Sequence, residues 1–118
     1  MASTIALVIQ EDPRRTPRPV EALRIALGLA AGDNEITVAL IGNAASLIGE
    51  DRDDIVDVDI LEKYLPSFQH LGIPFVIVPT DEGVAEVEEG FTVTMGTCRS
   101  VAELLMRADR PQRFNRDL

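Results

Sequence analysis

The stretch Ile36–Gly42, I-T-V-A-L-I-G, decides how this 118-residue chain folds. β-Branched residues stand at Ile36, Thr37, Val38 and Ile41, and the apolar character runs on without clean alternation. A short run of that kind reads as a strand covered on both faces. Asp33-Asn34 before it and Gly42-Asn43 after it are turn punctuation. A parallel strand buried on both sides needs helices above and below, and the flanking sequence supplies them.

Working outward, Thr4–Gln10 and Pro74–Pro79 are further apolar runs and read as the first and third strands, with Phe91–Met95 as the fourth. Prolines are tolerated in a first helical turn, so a helix is predicted to begin near Pro17–Pro19 and run through Ala31, with Gly32 as a left-handed stop. Ala44–Ile48 is expected to form a short helical turn. A second helix, capped by Asp59, carries Ile60, Leu61, Tyr64, Leu65 and Phe68, and Pro66 inside it is expected to kink or split it before the stop at Gly72. A short helix is possible around Val84–Val87. The last helix is predicted over Ser100–Ala108, with Ser100 and Glu103 as a capping box and Pro111 as its end. Gln112–Leu118 is either a short edge strand or a tail. Strand–helix alternation of this kind implies parallel pairing and right-handed crossovers. The expected fold is one α/β domain over residues 1–118: a three-layer Rossmann-like or flavodoxin-like, mostly parallel sheet with helices on both faces.

The first helix is apolar nearly all round. Val20, Ala22, Leu23, Ile25, Ala26, Leu27, Leu29 and Ala30 are interrupted only by Glu21, Arg24 and Gly28. A surface helix ordinarily shows one apolar stripe. Leaving large aliphatic side chains in water forfeits ~1.5–3 kcal/mol apiece. The expectation is therefore a contact between chains that uses Leu23, Ile25 and Leu29.

Composition narrows the function classes. A chain that is 46% hydrophobic and 26% charged is neither disordered nor membranous. No apolar segment is long enough to span a bilayer and no signal-like segment opens the chain, so neither membrane insertion nor secretion is expected. A single cysteine forms no internal disulfide, which fits a reducing, cytoplasmic setting. A net charge of −9 and 4% aromatics argue against nucleic acid. The charge is uneven: residues 33–90 hold 14 acidic and 2 basic side chains, whereas arginines gather at Arg14, Arg15 and Arg18 and again towards the end of the chain. The early arginines read either as a solvated loop or as an anion site.

Motifs are mostly excluded. There is no G-x-G-x-x-G, no P-loop and no nucleophile elbow, so no dinucleotide cofactor, phosphate cradle or catalytic triad is predicted. The acidic run Glu50–Asp59 lacks the calcium-loop spacing and reads as solvated loop, with no metal expected. His70, the one histidine, has no ligand partner at useful spacing and reads as a helix-end residue. That leaves Cys98, in M-G-T-C-R-S before the last helix. Exposed N–H groups at a helix start and the neighbouring Arg99 favour a thiolate, so Cys98 reads either as a nucleophile or as a small buried hydrophobe.

Three segments carry a family likeness. These are P-V-E-A-L-R-I-A-L-G-L-A-A-G with I-T-V-A-L-I-G-N-A-A-S-L, then D-I-L-E-K-Y-L-P-S-F-Q-H-L-G-I-P-F-V-I-V, then S-V-A-E-L-L-M-R-A-D-R. Together they resemble the DsrE/DsrF-like (TusC/TusD-type) proteins. The resemblance implies a Rossmann-like sheet and a homo-oligomer (dimer, trimer or hexamer) or a hetero-oligomer of related subunits. It also implies a cytoplasmic role in handing persulfide sulfur between protein donors and acceptors, or as the non-carrying subunit, without a cofactor. The family's sulfur-carrying cysteine follows the third strand, where this chain has Thr80. Cys98 is then the candidate thiol. Outside the sulfur-relay reading stand a non-catalytic oligomerisation and docking subunit and a small anion-binding protein using Arg14, Arg15 and Arg18.

Overall fold

The computed structural model describes residues 4–32, 34–79, 86–107 and 110–114. Five strands, β1 (Thr4–Ile9), β2 (Glu35–Ile41), β3 (Pro74–Val78), β4 (Thr92–Met95) and β5 (Arg110–Phe114), form one sheet in the order β4-β3-β2-β1-β5. Every neighbouring pair is parallel. Val38, Ala39 and Leu40 of the central β2 have no exposed surface, as a doubly covered strand requires. The α/β class and the helices on both faces are as the sequence implies.

Helix α1 (Arg18–Ala31) joins β1 to β2, and α2 (Val58–Leu71) joins β2 to β3. Because the strand order advances in one direction through these two crossovers, both helices fall on one face. Ile5, Leu7, Ile9, Val38, Leu40, Phe75 and Ile77 point to that face and meet Leu23, Ala26, Leu61, Leu65 and Phe68. The chain then returns from β4 to β5 across the other face through α3 (Cys98–Arg107). There Val8, Ala39 and Val78 meet Val101, with Leu105 partly buried.

Several local expectations are corrected. Leu23 is wholly buried against its own sheet and has no surface to offer a second chain. Ile25 and Leu29 are half-buried rather than bare; α1 packs alongside α2, and Leu29 joins the core of its own chain. Large exposed apolar side chains lie elsewhere, at Ile60, Leu71, Met95 and Met106. Gly32 is not left-handed (φ −85°), since the Asn34 side chain donates to the Leu29 carbonyl at 2.8 Å and closes the helix. Gly72 (φ 66°) is the left-handed stop that the sequence predicts.

Pro66 does not split α2, which runs as one helix through it. Leu61, Leu65 and Phe68 are anchored in the core, while Glu62, whose carbonyl loses a donor, faces water. The residue before α2 is Asp57 rather than Asp59, at φ 62°, and its carbonyl rather than its side chain takes the first helical N–H groups. Val87 makes an isolated antiparallel bridge to Gly49 instead of a helical turn, and Val84 lies outside the described residues. Pro111 does not merely end α3. It sits within β5, an edge strand, where a missing N–H is tolerated.

Candidate functional site

In parallel α/β sheets, ligands and chemistry gather beyond the carboxyl ends of the strands. Here that rim has two halves, one on each face of the sheet.

On the α1/α2 side, the loop after β1 meets the acidic segment after β2. Arg14 Nε donates to Asp54 Oδ2 at 2.9 Å, Arg18 Nη1 to Glu11 Oε1 at 3.2 Å, and Arg15 lies 3.9 Å from Asp12. The Val56 N–H donates to the Pro13 carbonyl at 2.9 Å and ties the two loops together. Arg14 and Arg15 in the loop and Arg18 at the start of α1 thus each already face a carboxylate of the same chain. No three His, Cys, Asp or Glu side chains among the described residues come together as a metal site.

Sequence reasoning missed Arg52. Its side chain is only 10% exposed, and Nη1 donates to the Gly49 carbonyl at 2.6 Å and to Glu88 Oε2 at 3.2 Å, with Glu62 3.8 Å away. Around this contact the Glu50 N–H donates to the Glu86 carbonyl and the Glu88 N–H to the Ile48 carbonyl. Arg52 therefore latches the acidic loop to the segment leading into β4. A signal for it does exist in the sequence: Arg52 is one of two cations among the fourteen acids of residues 33–90.

On the other face the rim is the turn from β4 into α3. Gly96 N–H donates to the Ile77 carbonyl at 2.8 Å and holds the turn to β3. A side chain at Gly96 would come within 2.6 Å of Val76 Cγ1 and 2.8 Å of Ser100 Oγ, so the close approach requires glycine. The capping box exists but is displaced from the predicted pair. Thr97 N–H donates to Ser100 Oγ at 2.8 Å, and Ser100 N–H donates to Thr97 Oγ1 at 3.0 Å. Thr97 is the cap and Ser100 its reciprocal partner, while Glu103 faces Arg99 at 3.9 Å instead. Val101 N–H donates to the Thr97 carbonyl. Of the first-turn donors among the described residues, those of Cys98 and Arg99 are left open.

Cys98 is therefore the first residue of α3, placed by a doubly hydrogen-bonded cap, and it is exposed rather than sealed in the core. It lies at the carboxyl rim, across the sheet from the arginine loop. His70 sits in the last turn of α2, exposed and at the opposite pole. Thr80, where the family thiol would fall, lies outside the described residues. A groove of about 410 Å³ opens at that same opposite pole, between the ends of α1 and α2, lined by Asn34, Glu35, Thr37, Leu71 and Pro74 among others. It borders neither Cys98 nor the arginines.

No protein-family model and no curated protein matches this sequence. Among solved structures, the chain is similar to the crystal structure of the ychN protein from E. coli, with a TM-score of 0.75 and 19% identity. The alignment covers 97% of this chain and 100% of that one. At that identity the likeness establishes the fold, a compact parallel α/β sheet shared end to end.

Proposed function

We propose that this protein is a cytoplasmic sulfur-trafficking component of the DsrE/DsrF-like type, with Cys98 as the thiol that accepts and surrenders persulfide sulfur. The observation that carries the reading is the exposure of Cys98 at the capped start of α3, on the rim where such folds do their chemistry. The likeness of the three sequence segments to that family, and a fold compatible with it, supply the sulfur chemistry.

In the proposed step the Cys98 thiolate attacks the outer sulfur of a donor persulfide. The donor's S–S bond breaks, its inner sulfur leaves as a thiolate that takes up a proton, and Cys98 becomes the persulfide. A thiolate on the acceptor protein then attacks the outer sulfur and releases Cys98. No net oxidant or reductant is consumed.

Intact-mass spectrometry after incubation with a protein persulfide donor tests this directly. One sulfur-atom increment, absent in Cys98→Ser, is expected, and no increment on the wild-type chain overturns the proposal. A second reading has one feature in its favour: this chain has Thr80 about where the resemblance puts the family's thiol. On that reading the chain is the non-carrying subunit, docking in an oligomer with cysteine-bearing relatives. Co-purification with such a relative, together with an unmodified Cys98, would favour it over the first.

A further inference from the structure

The two edges of the sheet are not alike. β5 reads R-P-Q-R-F, with a proline and two arginines, features that discourage another strand from pairing there. β4 reads T-V-T-M, and the run Phe91–Cys98 around it holds no proline and no charge in a chain that is 26% charged. Thr92, Thr94 and Met95 are exposed and Val93 is half-exposed. Among the described residues nothing pairs with the outer side of β4. The strand is nonetheless held firmly. Phe91 packs edge-on against Phe75 at 5.8 Å, Gln69 Nε2 donates to the Glu89 carbonyl at 2.9 Å below it, and the Gly96 contact pins it above. Such an edge is ordered before anything binds, so little entropy is lost on pairing.

From this asymmetry we propose that the β4 edge is a strand-addition site for an extended, positively charged segment of a partner protein. Its register follows from the pleat. Val93 and Met95 face the side of Phe75 and Ile77, while Thr92 and Thr94 face the other. A bound segment would therefore alternate apolar residues, over Val93 and Met95, with polar or basic ones. Charge selects the sign. The chain carries −9 overall, and exposed Glu86 and Glu89 lead into the strand. The same charge opposes a second copy of this chain in that place. The site is separate from Cys98 chemistry and stands whether or not the thiol carries sulfur.

The test uses the full chain and a blocked six-residue peptide of alternating lysine and valine, followed by calorimetry and by backbone hydrogen exchange. Exchange at Thr92–Met95 is expected to slow on peptide addition, and the matching glutamate–valine peptide is expected not to bind. N-methylation of alternate peptide amides should abolish binding in one phase of the alternation and spare it in the other. The double variant Thr92→Lys/Thr94→Lys should weaken binding about tenfold through like-charge placement across the pair, with unchanged thermal unfolding. Unaltered exchange in β4, equal binding of the acidic peptide, or insensitivity to N-methylation in either phase overturns the proposal. So does sedimentation showing a dimer that Thr92→Lys/Thr94→Lys dissociates, which would make the occupant a second copy.

Discussion

The two faces of the sheet are built to different depths. On one, two fourteen-residue helices and the 3₁₀ turn Gly42–Ile48 bury a continuous core that reaches from Ile5 to Phe75 and Ile77. On the other, among the described residues, a single ten-residue helix covers Val8, Ala39 and Val78 with one buried side chain, Val101. Stability is therefore concentrated on the α1/α2 face, and the thin face is free to present reactive and binding groups. Cys98 and α3 belong to that thin layer.

The contrast breaks most readily through paired core truncations. Leu23→Ala removes a side chain with 0% exposure and should cost about 2–5 kcal/mol in urea unfolding. Val101→Ala, on the thin face, should cost only ~1–2 kcal/mol for the methyl groups it loses. Equal costs would mean that the faces are not energetically distinct. Next in size is Gly96→Ala, whose new methyl must displace Val76 or Ser100. A destabilisation of ~1–3 kcal/mol is expected, with a changed alkylation rate at Cys98 because the cap shifts with it.

Arg52→Met probes the latch on the thick side. Glu88 and Glu62 are 41% and 56% exposed and can return to water, so the effect is limited to ~1–2 kcal/mol, mainly from the lost bond to the Gly49 carbonyl. Faster hydrogen exchange at Glu50 and Glu88 should accompany it, and no change there would remove the latch. The smallest effect is a gain. Gly28 sits mid-helix, and a methyl group added to it would meet nothing within 4 Å, so Gly28→Ala should raise stability by ~0.5–1 kcal/mol. A loss instead would indicate that another chain packs on α1 at this point.

Sheet and helices are legible in the sequence where apolar period and glycine punctuation agree, as at Ile36–Gly42 and at Gly72. Elsewhere a tertiary contact outranks the local rule. Proline chemistry at Pro66 predicts a kinked or split α2, but core anchors on either side of it hold it as one helix. The apolar girth of α1 points to a contact between chains, yet α2 of the same chain covers part of it, because both crossovers land on one face. Cap pairing slips from Ser100/Glu103 to Thr97/Ser100, since the Gly96 contact to β3 fixes where the helix starts. The sequence places Cys98 at a helix start, but its exposure depends on how thinly α3 covers the sheet. Arg52 escapes notice because its partners Glu62 and Glu88 are distant in sequence.

The proposed chemistry depends above all on an accessible thiol at the start of α3, and alkylation kinetics measure that directly. The rate of Cys98 modification by iodoacetamide at neutral pH should be at least as fast in the folded protein as in urea-unfolded chain. A folded-state rate suppressed by orders of magnitude would contradict it.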